Sequence, residues 1–155
     1  MSSQQEEEPK KIGGWLILVG IGVVLSPVRI ILLTGPIFMD VFNGGIWGYI
    51  VESNPNLATF IAAEAILNVA MIIAWIYAAF IFFMKKWYFP RLFIGLMLFS
   101  FVFVVIDSIT VSFIIPGEPM FDSETKKEAI RTFIVAAIWI PYMLMSKRVK
   151  ATFVK

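Results

Sequence analysis

Apolar residues in this chain come in long unbroken blocks rather than in the stripes of a soluble amphipathic helix. Four blocks emerge, over about residues 12–33, 57–84, 90–115 and 126–146. A run of about 18 or more apolar residues reads as a bilayer-spanning helix, and at ~1.5 Å per residue each block crosses a hydrocarbon core of ~30 Å. The punctuation agrees. Gly35-Pro36 stops the first block, Asn54-Pro55 opens the second and Pro116-Gly117 closes the third. Thr125 and Glu128 have the spacing of a capping box at the head of the fourth. The pattern predicts an all-α integral membrane four-helix bundle: a disordered cytoplasmic tail over residues 1–11, then a single transmembrane domain over residues 12–155, without internal repeats.

Composition strengthens this reading. Of 155 residues, 59 % are hydrophobic and 15 % charged, too few charges to cover the surface of a soluble domain. The net charge of +2 says little about partners; the placement of the charges says more. Lys10 and Lys11 precede the first block, Lys85, Lys86 and Arg91 lie between the second and third, and Lys147, Arg148, Lys150 and Lys155 follow the fourth. Residues 34–56 hold no lysine or arginine, and the last loop sets Lys126 and Lys127 against Glu118, Asp122, Glu124 and Glu128. The positive-inside rule therefore predicts both termini and the middle turn in the cytoplasm. Trp15, Trp87 and Tyr88 then anchor the inner interface, and Trp47 and Tyr49 the outer one. The acidic opening MSSQQEEEPKK does not fit a signal peptide. The glycine-rich first loop is expected along the outer interface as a short helix or hairpin.

Beyond the first turn of each block, four charges fall inside the blocks: Arg29, Glu64, Asp107 and Arg131. An unpaired charge near a helix centre costs about 2.5–3.5 kcal/mol on the insertion scale, so such residues face the bundle interior and pair. Counting residues along each antiparallel helix puts all four in the outer third of the bilayer. The expectation is a neutral cluster in which the arginines pair with Glu64 or Asp107. Asn68 shares a helix face with Glu64, Ser100 and Thr110 share one with Asp107, and Tyr142 lies three turns from Arg131. The candidate site is thus Arg29, Glu64, Asn68, Asp107, Arg131 and Tyr142, acting either as a structural clamp or as a cavity for a polar ligand or proton. Ala70, Ala74 and Ala78 form a small-residue stripe suited to close helix packing. Pro27 and Pro141 interrupt the backbone ladder of the first and fourth blocks.

Enzyme readings fail on inventory. The chain has no cysteine and no histidine, which removes thiolate nucleophiles, disulfides, bis-histidine haem and histidine-ligated zinc. An intramembrane aspartyl protease needs two facing aspartates, and Asp107 is the one aspartate within a block. No glycine-rich phosphate loop is present. No cofactor, metal, catalytic residue or nucleic-acid partner is expected; the expected partners are the bilayer and its anionic headgroups at the cytoplasmic face, with a small polar ligand or membrane-protein partner.

Two stretches carry a resemblance. The opening reads Gly14-Trp15-Leu16, a glycine-containing apolar run, then Pro27-x-Arg29, and the close reads Tyr142, then Ser146-x-Arg148-Val149-x-x-Thr152-Phe153. With the four-span layout these resemble the bacterial membrane family catalogued as domain of unknown function 2569. The resemblance implies a bacterial inner-membrane location and makes Arg29 part of a motif; it implies no activity. The expected function is a non-enzymatic membrane protein that binds a ligand or partner at its outer side. The alternatives are a small transporter or proton-coupled channel, and a structural or accessory subunit.

Overall fold

The computed structural model describes residues 10–115, 117, 119 and 121–154. Six helices follow one another: α1 (Trp15–Asn43), α2 (Ile46–Ser53), α3 (Pro55–Phe83), α4 (Phe89–Ile114), α5 (Ser123–Met145) and α6 (Lys147–Thr152). Four of them, α1, α3, α4 and α5, are long and apolar enough to cross a membrane. The chain is an all-helical membrane protein with four spans. Its large outward-facing apolar side chains, such as Leu32, Ile66, Ile73 and Phe113, are exposed as they must be where the neighbour is lipid.

The helix starts follow from local chemistry. Asn54 caps α3, its side-chain oxygen accepting from the Leu57 N–H at 3.1 Å, and Pro55 occupies the first turn, where no N–H is needed. Asp122 caps α5 by accepting from the Thr125 N–H at 2.6 Å. The fourth span thus begins at Ser123, and the expected Thr125–Glu128 capping box does not form; Glu128 lies a full turn inside the helix.

The first span also departs from expectation. It runs through Gly35-Pro36 to Asn43 instead of stopping there. Proline removes one backbone donor and frees one carbonyl, a cost that an otherwise apolar helix in lipid tolerates. The chain turns instead at Gly44-Gly45. A side chain at Gly44 would meet the Asp40 carbonyl oxygen at 2.2 Å, and Gly45 has φ of 77°, a left-handed conformation that favours glycine. The first loop is therefore mostly helix: the end of α1, then α2, whose Trp47 packs on Phe42 at 4.8 Å.

The helices pack as neighbours in chain order. α1 lies against α3 and α4 against α5, while α3 and α4 join the two pairs; α1 and α5 make no backbone approach of comparable extent. Among helices in lipid, packing rather than hydrophobic expulsion holds such contacts, so small residues matter. Gly20 of α1 is buried against Phe82 of α3, where an added Cβ would sit 2.8 Å from the ring. Ala78 is fully buried, Ala74 half-buried and Ala70 exposed, so the alanine stripe enters the core only toward one end of α3.

That end of the molecule is closed. Leu16, Ile81, Phe82, Phe89, Phe93, Val149 and Phe153 form its buried core. The Phe153 ring stacks on Phe89 at 4.7 Å and lies 5.6 Å from Phe82. α6 forms part of this plug. Ser146 ends α5 and caps α6, and Val149 and Thr152 are completely buried, while Lys147 and Lys150 stay exposed. The Arg148 guanidinium lies against Gly13 and Gly14, and the Lys10 N–H donates to the Ala151 carbonyl at 3.0 Å. The opening and closing motifs therefore meet in space. The expected tail falls largely on residues 1–9, which lie outside the described residues, as do Pro116 and Glu118 of the last loop; Lys10 itself is tied to α6.

Candidate functional site

The opposite half of the bundle holds a cavity of about 260 Å³ to which all four spans contribute. Its charged rim is a triad. Arg29 of α1 grips Glu128 of α5 in a two-pronged ion pair: Nη1 donates to Oε1 at 2.8 Å and Nη2 donates to Oε2. Arg131, one turn along α5, approaches the same carboxylate at 3.7 Å, and the Thr132 hydroxyl donates to it at 3.3 Å. Glu128 is thus saturated. The fork geometry of guanidinium and carboxylate makes this a strong, directional contact, and it bridges the two spans whose backbones do not otherwise approach closely. The Arg29, Glu128 and Arg131 side chains are 37 %, 29 % and 53 % exposed, so the rim is open rather than sealed.

The expected pairing therefore does not occur. The arginines take Glu128, and among the described residues neither Glu64 nor Asp107 lies within ion-pair distance of a cation. Glu128 was assigned to helix capping and loop acidity by its sequence position, yet it precedes Arg131 by three residues and Thr132 by four. That spacing puts all three on one helix face and is the signal that could have found it. Three of four intramembrane charges, Arg29, Glu64 and Arg131, do line the cavity, together with Asn68. The Asn68 amide donates to the Glu64 carbonyl at 3.0 Å, consistent with their shared face. Asp107 is half-buried on α4 but does not line the cavity, although Ser100, Phe103 and Val104 of the same helix do. Thr110 turns its hydroxyl onto the Ile106 carbonyl of its own helix at 2.8 Å. Tyr142 is displaced from the site altogether. Its ring packs at 5.7 Å from Trp139, near the closed end. Eleven residues realign a side chain around the helix axis but also carry it about 16 Å along it.

The wall has a definite chemical character. On α3, Glu64, Asn68, Met71 and Trp75 follow one another at helical spacing and all face the cavity. The polar end is Glu64 with the arginine triad; the apolar end is Met71, Trp75 and Met97. The hydroxyls that line it have spent their protons. Ser26 donates to the Gly22 carbonyl at 2.7 Å, Thr34 to Ile30 at 2.9 Å and Ser100 to Leu96 at 2.8 Å. Each therefore offers its cavity side as a hydrogen-bond acceptor.

Four apolar spans, a plugged end and a cavity lined by charged side chains describe a small multi-pass membrane protein. The chain belongs to the family of proteins of unknown function DUF2569, whose model matches residues 9–154. No match emerges among curated proteins or among solved structures. The family opening and closing motifs have clear structural roles here: Gly14 accommodates Arg148, Leu16, Val149, Thr152 and Phe153 build the plug, and Arg29 anchors the triad.

Proposed function

We propose that the protein is a non-enzymatic binding protein of the bacterial cytoplasmic membrane, with both termini inside and the cavity facing out. The single observation that carries this reading is the cavity itself: a bundle needing only a clamp would close its helices over the triad, whereas here about 260 Å³ stays open beside an unpaired carboxylate. Orientation rests on the lysines and arginines of the closed end, Lys10, Lys11, Lys85, Lys86, Arg91, Lys147, Arg148 and Lys150, which the positive-inside rule assigns to the cytoplasm. The exposed Lys147 and Lys150 of α6 then meet anionic headgroups. Within this scheme the Arg29–Glu128 pair ties α1 to α5 and sets the width of the site, while Glu64 and the α3 stripe receive the ligand. The wall offers charge and hydrogen-bonding groups, and the carboxylate that the Thr132 hydroxyl meets is held by Arg29, which favours binding over catalysis.

Two measurements test the reading together. A reporter fused after Lys155 is active only if cytoplasmic, and one inserted at Gly48 only if external; the reverse pattern overturns the orientation. In this cysteine-free chain, Ser100→Cys and Thr132→Cys report on the cavity. Rapid modification by a membrane-impermeant thiol reagent added from outside is expected. Modification only after denaturation would show a closed clamp.

A second reading, proton-coupled transport, draws on Glu64 and Asp107, two intramembrane acids without a cationic partner among the described residues. It predicts proton uptake or release when a solute gradient is imposed on proteoliposomes.

A further inference from the structure

The chemistry of the cavity wall selects a ligand. We propose that the cavity binds an amphiphilic primary ammonium ion, its charged head held by Glu64 and its apolar tail directed past Asn68 toward Met71 and the apolar end of the cavity. The assignment rests on the outward-facing binding site described above.

Three independent observations converge on it. First, Glu64 lines the cavity with no cation within 4 Å among the described residues, whereas the two arginines of the rim share the carboxylate of Glu128. A carboxylate without a counter-ion in a membrane interior is costly, and a ligand cation relieves that cost. Second, the hydroxyls of the wall are acceptors, set beside the donors that Arg29, Arg131 and Asn68 bring to it. The hydroxyls of Ser26, Thr34, Ser100 and Thr132 donate elsewhere, so what they present to the cavity is lone pairs. An ammonium group with its three N–H donors matches these lone pairs and the Glu64 carboxylate. Third, the site is polar at one end only. Glu64 and Trp75 lie eleven residues apart on one face of α3, about 16 Å along the axis, and the intervening surface passes through Asn68 to Met71. Sulfur and aromatic surfaces accept an alkyl or aryl tail of varied shape.

A metal cation is the poorer match. Among the described residues no three acidic side chains converge, so the oxygen set a hard divalent ion requires is missing. The volume of about 260 Å³ falls below that usual for drug-sized ligands, which sets the tail at a few carbons.

A matched series isolates the head group: hexylammonium, hexanol and hexanoate, titrated calorimetrically into the full-length protein in lipid nanodiscs, with empty nanodiscs as the reference that subtracts partition into lipid. Hexylammonium is expected to bind saturably, hexanol weakly and hexanoate not at all. Glu64→Gln should weaken hexylammonium binding by about tenfold or more, the range for a charge-assisted hydrogen bond. Arg131→Gln removes a like charge from the rim and should tighten it, an effect that general loss of structure cannot mimic. Preference for hexanoate, or an affinity untouched by Glu64→Gln, overturns the proposal. If the cavity cysteines label from outside but no hexyl compound binds saturably, the site stands and its assignment to ammonium falls. If they do not label, the outward-facing site falls and takes the assignment with it.

Discussion

The two ends of this bundle are built on opposite principles. The closed end is aromatic and tight: Phe89 touches Phe82, Phe93 and Phe153, and Leu16, Val149 and Thr152 are inaccessible. The open end is held by one ion-pair triad and leaves space in its middle. Most of the buried core lies toward the first, and the charged cavity residues belong to the second. Rigidity and chemistry are separated along the membrane normal, so a substitution should report which end it touches by the kind of effect it has.

The largest expected effect is at the closed end. Phe82→Ala removes a ring that contacts Gly20, Phe89 and Phe153 and should cost about 3–5 kcal/mol, read as a loss of thermal or denaturant stability in detergent. A smaller loss would mean that the aromatic plug is less critical than its packing indicates. Next comes overpacking at the same contact. Gly20→Ala pushes a methyl group into the Phe82 ring and should cost about 1–3 kcal/mol.

At the open end the sign of the effect divides the acids. Glu128→Gln unmatches Arg29 and Arg131 and should cost about 1–2 kcal/mol, reduced from the value for a fully buried pair because the rim is exposed. Arg29→Gln in the same chain should recover part of that loss. Glu64→Gln, by contrast, removes an unpaired carboxylate and should leave stability unchanged or raise it. A destabilised Glu64→Gln would reveal a partner for Glu64 and erase the distinction.

The smallest effect lies outside the spans. Hydrogen bonds from the Thr125 side chain and backbone hold the exposed Asp122 carboxyl below its ordinary value of 3.8. Its folded-state pKa is the lower one, so its contribution is complete above about pH 4 and is lost as pH falls through the folded value. Protection of the amides in the first turn of α5, relative to their intrinsic exchange rates, should therefore fall at acid pH, and Asp122→Ala should abolish that dependence.

The sequence made one end far more legible than the other. Long apolar blocks define spans because lipid imposes a single length and a single polarity on them, and Asn54-Pro55 is a start signal with one reading. Helix ends were less legible where a residue permits two outcomes: Gly35-Pro36 can end a helix in water yet lie within one in lipid. Arg29, Glu64 and Arg131, which the depth argument put at one level, line one cavity, because rise per residue is fixed. It failed on pairing, because which carboxylate an arginine chooses depends on lateral helix placement, and nothing in the spacing placed α1 beside the head of α5. Tyr142 failed for the complementary reason, angular alignment without regard to height. The basic close of the chain, read as a surface anchor, is also an internal plug; the signal was the alternation of exposed Lys147 and Lys150 with buried Val149 and Thr152.

The meeting of Gly13 with Arg148 has a consequence for how the protein is made. These residues are 135 positions apart (148 − 13), so at about 5–20 residues per second the ribosome needs roughly 7–27 s to supply the second after the first. By the later part of that interval α1 and the α3–α4 hairpin have been made, while the Phe82–Phe89 surface still waits for Phe153. Hairpin pairing can proceed locally during synthesis, but the plug is a contact of the highest order in the chain and must wait. Nascent chains stalled before α6 should consequently be inserted yet unsealed, substrates for membrane quality control, whereas addition of the last few residues converts them to the protease-resistant form in a single step.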